Sequence, residues 1–198
     1  MEKILIATKN AGKAREYRQL FEPMGLEVVT LADLPEQVEI NENGTTFAQN
    51  ALIKAQTLTD KYHLPVLADD SGLVVDYLNG APGIYSARYA GDHDDQANNA
   101  KLLRELAGVP KEQRTAHFHC SIVVTAPDKE PLIVEGNVAG YILDQAYGDD
   151  GFGYDPLFYY PPFAKTFGQA GMAEKNKVSH RAQAVKELMK HFDAWYQK

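Results

Sequence analysis

Two adjacent carboxylates, Asp69 and Asp70, lie between the apolar stretches 65–68 and 73–75. Carboxylates at the end of a buried strand are costly unless a cation or hydrogen-bond donors satisfy them. Mg²⁺ would do so, because it prefers carboxylate oxygens together with water and substrate phosphate. A carboxylate here can also take a proton from an attacking water. The pair is therefore a candidate catalytic and metal site, with an ordinary Asp-Asp-Ser-Gly surface turn as the alternative.

A third acid, Glu42, lies just before a predicted helix and is a candidate second carboxylate for the same cation. Asn50 and Lys54 are four residues apart on that helix, so they share one face. The alternative is that Glu42 and Lys54 are ordinary solvated side chains of a loop and a helix.

Two basic segments each lead into a predicted helix, one at Thr8-Lys9-Asn10-Ala11-Gly12-Lys13 and the other from Lys175 to Arg181. Helix N-termini present unpaired N–H groups and a positive dipole end, which suit phosphate. The first segment is not a P-loop, which needs a longer glycine and lysine arrangement. In the second, His180 and Arg181 can donate hydrogen bonds to a carbonyl oxygen or an anion. Ordinary helix starts with exposed basic side chains are the alternative in both places.

A glycine-rich stretch with two aromatic residues covers 148–156. Glycines allow close backbone approach, Phe152 can stack on a base, and Asp155 can accept a hydrogen bond from a ring N–H. Stacking of a base on an aromatic side chain contributes about 1–3 kcal/mol in single-strand binders. The stretch is a candidate base pocket, and a glycine-rich turn with a core aromatic is the alternative.

Hydrophobic periodicity predicts the elements that must position these residues. A helix should follow the N-cap Asn10, and Thr46 and Gln49 have the spacing of a capping box for a second helix. A third helix is predicted over 96–106, and Ser179 should cap a final one. Strands are predicted over 3–8, 26–30, 65–68, 73–75, 114–126 and 132–143, with a hairpin turn at 127–129. Early alternation of strand and helix with a later hairpin predicts an α/β fold with a mixed sheet.

Composition narrows the class of protein further. The chain has 198 residues, 44% of them hydrophobic and one of them a cysteine, Cys120. Such a chain can bury a large core without an internal disulfide, and we do not expect a zinc site built on cysteines. The net charge of −7 divides unevenly, with +3 over residues 1–20, −13 over 21–171 and +3 over 172–198. An acidic protein is a poor binder of nucleic-acid polymers. With no signal-peptide pattern or membrane-length apolar run, we expect a soluble, cytoplasmic protein.

Taken together, these segments resemble the inosine triphosphate pyrophosphatase family, which acts on non-standard purine nucleoside triphosphates. The resemblance spans nearly the whole chain. Six motifs occur in family order: Thr8-Lys9-Asn10-Ala11-Gly12-Lys13, Glu42-Asn43-Gly44-Thr45-Thr46-Phe47, Ala68-Asp69-Asp70-Ser71-Gly72-Leu73, Gly80-Ala81-Pro82-Gly83-Ile84-Tyr85-Ser86-Ala87-Arg88-Tyr89, Phe152-Gly153-Tyr154-Asp155-Pro156 and Ser179-His180-Arg181.

The resemblance implies a single domain over residues 1–198 with an elongated, two-lobed α/β fold. A mixed β-sheet, flanking helices and a central nucleotide-binding cleft are expected, as is a homodimer. The implied reaction is Mg²⁺-dependent hydrolysis of ITP, dITP or XTP to the monophosphate and pyrophosphate. Discrimination should come from the 6-oxo edge of the base, because donors such as His180 and Arg181 would be left unpaired against the amino group of adenine.

The resemblance also assigns residues. Asp70 is implied as proton acceptor and metal ligand, with Glu42 as the other metal ligand and Asp69 and Lys54 in supporting roles. The implied contacts to the triphosphate are Thr8, Lys9, Asn10, Ala11, Gly12 and Lys13, and Ser71 is implied as a further substrate contact. The implied base pocket consists of Phe152, Gly153, Tyr154, Asp155, Lys175, His180 and Arg181.

The chain departs from the family pattern at two positions. Gln49 stands where the family often has Glu, which would weaken a metal site if that acid assists it, and Lys9 replaces a commoner glycine. Two other functions stay open: a Maf-like pyrophosphatase for modified pyrimidine triphosphates, and a nucleotide-binding module without catalysis. The segments around Phe152 and His180 argue against the first. Retention of Glu42 and Asp70 argues against the second.

Overall fold

A computed structural model describes residues 2–9, 11–34, 36, 38–91 and 94–197. The predicted N-cap Asn10 lies outside the described residues. The described residues form the strands β1 (Glu2–Ile6), β2 (Leu26–Thr30), β3 (Val66–Val75), β4 (Thr115–Thr125), β5 (Leu132–Ile142), β6 (Phe158–Tyr160) and β7 (Lys165–Thr166). They also form the helices α1 (Ala11–Phe21), α2 (Phe47–Tyr62), α3 (Asp95–Glu105), α4 (Phe167–Ala170), α5 (Met172–Val178) and α6 (His180–Tyr196).

The strands form one sheet in the order β2-β1-β3-β4-β5-β6-β7. Strand β1 pairs in parallel with both β2 and β3, while β5–β6 and β6–β7 are antiparallel. Three consecutive residues of β1, Ile4 to Ile6, are buried, as expected for a strand covered on both faces. Strands β4 and β5 are neighbours in the sheet and consecutive in the chain, as the predicted hairpin requires. The mixed α/β sheet predicted from the sequence is therefore confirmed.

The chain divides into two compact units. The first unit comprises residues 1–70, 121–134 and 188–198, and the second comprises 71–120 and 135–187. The core of the first unit lies between α2 and the strands β1, β3 and β4, around Leu5, Leu58, Val66 and Val123. The core of the second unit contains an aromatic group, with Phe118, Tyr154, Phe158 and Phe167 among its members. None of the helices in the described part of the chain is long and apolar enough to cross a membrane.

Helix α2 begins where the sequence predicts. The side chain of its N-cap, Thr46, accepts a hydrogen bond from the Gln49 N–H at 3.1 Å. The reciprocal half of the predicted capping box is different, because Gln49 Oε1 accepts from the N–H and the hydroxyl of Thr45. Its Ala51, Ala55 and Leu58 are buried on the predicted face. The same face buries Asn50, which brings a polar group into the interior.

The predicted turn at 69–72 is wrong, because β3 continues without a break from Val66 to Val75. Asp, Ser and Gly are typical of turns, because Asp and Ser side chains can bond to the nearby backbone when no other partner is present. Here Lys13 and Asn50 contact the two carboxylates, so the backbone can stay extended in the sheet. The carboxylates are therefore held by a strand rather than by a flexible turn.

Candidate functional site

Asp69 is buried and paired with a lysine from the first helix. Lys13 lies in the first turns of α1, and its Nζ is 2.5 Å from Asp69 Oδ2. The lysine side chain keeps 22% of its surface exposed, whereas that of Asp69 keeps 3%. The pair therefore joins the predicted triphosphate segment to β3 and leaves the lysine accessible from outside.

Asp70 is half-buried next to this pair. Asn50 Nδ2 on α2 donates to Asp70 Oδ2 at 3.2 Å. Burial raises the pKa of the Asp70 carboxyl, and the charges of Glu42 and Asp69 act in the same direction. Lys54 and the Asn50 hydrogen bond oppose the rise. A carboxylate whose pKa lies above its ordinary value is a stronger base, which suits removal of a proton from water.

Lys54 ties two parts of this cluster together. Its Nζ lies 3.1 Å from Glu42 Oε2 and donates to the backbone carbonyl of Asp69 at 3.2 Å. The sequence indicated only that Asn50 and Lys54 share a helix face. The structure shows that this face is directed at β3 and at the loop carrying Glu42.

Asn50 also fixes that loop, a role which the sequence did not reveal. Its Oδ1 accepts from the Gly44 N–H at 2.9 Å. A Cβ on Gly44 would lie 2.7 Å from Asn50 Oδ1, which is too close for any other residue without a shift. Because a backbone N–H can only donate, the amide orientation of Asn50 is set and its Nδ2 must face Asp70. Loop, helix and strand thus converge on one buried amide.

The other described residues of the predicted triphosphate segment lie between the end of β1 and the first turn of α1. Thr8 is buried and its N–H donates to the Ile6 carbonyl at 2.7 Å, while Lys9 is exposed. Ala11 and Gly12 form the start of α1, whose first N–H groups have no acceptor four residues earlier within the helix. Gln49, the residue that departs from the family pattern, is exposed and engaged with Thr45.

The carboxylates fit a hard divalent cation by their chemistry. No group of three or more His, Cys, Asp or Glu residues in the described ranges is arranged to hold a metal ion. Mg²⁺ does not require one, since it is commonly bound by one or two carboxylates plus substrate phosphates. Glu42 and Asp70 are close enough for the Glu42 charge to raise the Asp70 pKa, and a cation would relieve that repulsion.

The second unit carries the predicted base pocket. Lys175 Nζ lies 2.5 Å from Asp155 Oδ2, and both side chains are almost fully buried. The same carboxylate oxygen accepts from the Phe152 N–H at 3.0 Å. Burial raises the Asp155 pKa, and Lys175 opposes that rise. Gly151 has φ +86°, and a Cβ there would lie 2.2 Å from Asp155 Oδ2, so glycine is required at this turn.

Phe152 presents an aromatic surface at this place. Its ring is half exposed, and Lys175 Nζ lies 4.4 Å from the ring centroid. The next aromatic, Tyr154, is instead buried in the core, where its hydroxyl donates to the Ser86 carbonyl at 2.8 Å. Gly153, between them, is contacted by Asp95 and Asn99 of α3, two residues that sequence reasoning missed.

The remaining predicted residues also lie in the second unit. His180 is the first residue of α6; it is buried and stacks on Phe118 with ring centroids 5.0 Å apart. Arg181 and Ser71 are half-buried. The Ser179 side chain accepts from the Ala182 N–H at 3.2 Å, as the predicted cap requires.

Comparison with known proteins identifies relatives over nearly the whole length. The model of the Ham1 family matches residues 4–191. A protein of Listeria innocua named dITP/XTP pyrophosphatase is 53% identical, over 96% of this chain and 94% of its own. One of the same name from Geobacillus kaustophilus is 52% identical, over 95% and 93%.

Solved structures agree with these relatives. The Ham1 protein of Staphylococcus aureus has a TM-score of 0.92 and 40% identity, covering 98% of this chain and 99% of its own. A HAM1 protein from Coxiella burnetii has a TM-score of 0.91 and 37% identity, over 98% and 100%.

Proposed function

The chain belongs to the Ham1 family, and we propose that it hydrolyses non-standard purine nucleoside triphosphates, such as dITP, ITP and XTP, to the monophosphate and pyrophosphate. The observation that carries this proposal is the cluster in the first unit. This cluster combines three acids with two lysines. The acids are Glu42 on the loop before α2 and Asp69 and Asp70 on β3, and the lysines are Lys13 on α1 and Lys54 on α2. The curated relatives with about half their residues identical carry the matching activity in their names.

Asp70 is assigned as the general base. Burial and the neighbouring Glu42 and Asp69 charges raise its pKa, so it holds a proton more strongly than an exposed carboxylate does. Asn50 fixes one of its oxygens through Nδ2, which orients the carboxylate. Asp70 therefore accepts the proton of a water that attacks the α-phosphorus, and pyrophosphate is the leaving group.

Lysines and backbone donors offset the charge of the triphosphate. Lys13 is accessible while paired with Asp69, so a phosphate oxygen can compete for its ammonium. The first N–H groups of α1, together with Thr8 and Lys9, supply further donors. Glu42 and Asp70 would hold Mg²⁺ along with substrate oxygens. When bound, the metal supplies charge neutralisation on the phosphates and Lewis acidity.

Residues of the second unit are assigned to the base. Phe152 offers a stacking face, and Asp155 accepts from a ring N–H of hypoxanthine or xanthine. His180 and Arg181 donate to the 6-oxo group. Adenine presents an amino donor at that position and would leave the protein's donors unpaired. The kcat/KM for an adenine nucleotide should therefore be much lower than for a 6-oxo purine nucleotide.

We further propose three properties of the whole chain, of which the resemblance implies the first two. These are one bilobed domain over residues 1–198, a homodimer and a cytoplasmic location. The last is supported by the single cysteine of the chain, which makes an internal disulfide impossible.

The test is pyrophosphate release from dITP, ITP, XTP, dGTP, dATP and a pyrimidine triphosphate, each with Mg²⁺ and with a chelator. We expect release from dITP, ITP and XTP, weak release from dATP, and loss of activity in the chelator. Asp70→Asn, purified in the same way, controls for contaminating phosphatases. No release from any of the three non-standard purine triphosphates would contradict the proposal, as would preference for the pyrimidine substrate.

A further inference from the structure

Helix α3 contacts Gly153 on both sides of its backbone. Asp95 Oδ2 accepts from the Gly153 N–H at 2.7 Å. Asn99 Nδ2 donates to the Gly153 carbonyl at 2.8 Å. Asp95 and Asn99 are four residues apart, so they lie on one face of the helix. A carbonyl can only accept, which fixes the orientation of the Asn99 amide. Both hydrogen-bonding groups of one residue are thus held by one helix.

This glycine determines where Phe152 lies. Gly153 adopts φ +61°, a left-handed conformation that glycine reaches without strain. On its far side, Tyr154 is buried and anchored to Ser86. On its near side, the Phe152 N–H donates to Asp155 Oδ2 at 3.0 Å, its carbonyl accepts from the Asp155 N–H at 3.3 Å, and its ring is half exposed. The contacts from α3 therefore fix the peptide that carries the exposed ring.

We propose that Asp95 and Asn99 are positioning residues for base recognition, which hold Gly153 so that Phe152 is preorganised to stack on the purine. This inference rests on the proposed function, since it takes the purine to stack on Phe152. Preorganisation raises affinity by removing the cost of ordering the loop on binding. The two residues should affect the binding of the base and leave the chemistry at Asp70 unaffected.

A purely structural role for α3 makes a different prediction, and the chain offers a matched control. Asp94, the neighbour of Asp95, is the N-cap of α3 and accepts from the Ala97 N–H at 2.9 Å. Its replacement by Ala weakens the helix start without removing a contact to Gly153. A change that arises only from a less stable α3 would appear in Asp94→Ala as well.

The experiment compares Asp95→Ala, Asn99→Ala, Asp95→Asn and Asp94→Ala with the wild-type chain. We measure kcat and KM for pyrophosphate release from dITP, the dissociation constant of dIMP by calorimetry, and Tm. Loss of a hydrogen bond to a charged or oriented group changes affinity by about tenfold. Asp95→Ala and Asn99→Ala should each raise KM and the dIMP dissociation constant by about that factor, with kcat within about twofold.

The conservative variant and the control complete the test. Asp95→Asn keeps an acceptor oxygen and should restore KM to within about threefold of wild type, on the same hydrogen-bond argument. Asp94→Ala should lower Tm with KM unchanged. Unchanged KM and dIMP affinity in both alanine variants of Asp95 and Asn99 would overturn the inference while wild-type activity upheld the proposed function. An equal rise of KM in Asp94→Ala would also overturn it. An inactive wild-type chain would contradict the proposed function itself.

Discussion

The two units each contain an Asp–Lys pair at the same distance but in different surroundings. Lys13 and Asp69 in the first unit lie 2.5 Å apart, as do Lys175 and Asp155 in the second. Lys13 keeps 22% of its side-chain surface exposed, whereas Lys175 keeps 5%. Lys175 also lies over the ring of Phe152. The first lysine is open to an incoming ligand, and the second is enclosed by its partners.

The difference in exposure between Lys13 and Lys175 suits the two lysines to different roles. A lysine that solvent reaches can exchange a carboxylate for a phosphate oxygen at little cost, since both states are partly hydrated. A lysine that is buried with its carboxylate cannot move away without leaving a buried charge uncompensated. Such a pair therefore fixes the conformation of the segments that carry it. We therefore propose that Lys13 binds a phosphate oxygen of the substrate and that the Lys175–Asp155 pair holds the base pocket in its conformation.

Asp70→Asn should have the largest effect. Loss of the general base lowers kcat by a factor of about 10²–10⁴, while dITP binding stays measurable. Single-turnover kinetics with dITP and calorimetry with the inactive variant separate the two. The matched control is Asp60→Asn, which changes an exposed acid in the last turns of α2. This variant should keep wild-type activity. Full turnover in Asp70→Asn would remove Asp70 from its role.

Lys175→Met should destabilise the fold most. Removal of one partner of a buried ion pair costs about 3–5 kcal/mol, because Asp155 is left as a buried charge. Denaturant unfolding measures the loss. The double variant Lys175→Met with Asp155→Asn removes that charge and should recover part of the stability. If the single variant were as stable as wild type, the enclosed pair would not have the structural role that we assign.

Lys13→Met removes the exposed lysine of the pair in the first unit. The loss of stability should be smaller than in Lys175→Met, since water reaches the Lys13 side of its pair. The KM for dITP should rise about tenfold or more, because a charge-assisted hydrogen bond to phosphate is lost. Steady-state kinetics and Tm are read on the same preparation. A large loss of stability with unchanged KM would reverse the assignment.

Gly44→Ala should have the smallest effect of the four. The new Cβ would lie 2.7 Å from Asn50 Oδ1 and 2.8 Å from Gln49 Cβ, so the Asn50 side chain must shift and pull on Asp70. A loss of about tenfold in kcat is expected, equivalent to one distorted hydrogen bond. Asn43→Ala, an exposed neighbour in the same loop, is the control and should match wild type. Equal kcat in both variants would show that the Asn50 bridge is dispensable.

Local patterns predicted the elements whose signals lie within a few residues. Helix α2 begins after Thr46 because an N-cap and an apolar stripe coincide there, and Ser179 caps α6 for the same reason. The turn at 69–72 was predicted wrongly, since the partners that keep Asp69 and Asp70 in a strand come from α1 and α2, far away in sequence.

The short elements from β6 to α5 were not predicted. They span two to seven residues each, too few for a periodic pattern, and are held by aromatic packing around Phe158 and Phe167. Within the candidate site, the four-residue spacing predicted that Asn50 and Lys54 share one helix face. It did not predict that this face contacts β3 and the loop carrying Glu42. Asp95 and Asn99 have the same spacing on α3, and only the tertiary fold brings them to Gly153.

We propose that this chain cleaves a purine triphosphate between its α- and β-phosphates with a water activated at Asp70. Hydrolysis of dITP in water enriched in oxygen-18, followed by mass spectrometry of both products, tests it most directly. We expect one labelled oxygen in dIMP and none in pyrophosphate, with products from Asp70→Asn formed about 10²–10⁴ times more slowly than by the wild-type chain. Label in pyrophosphate, or labelled dIMP formed at the wild-type rate by Asp70→Asn, would contradict it.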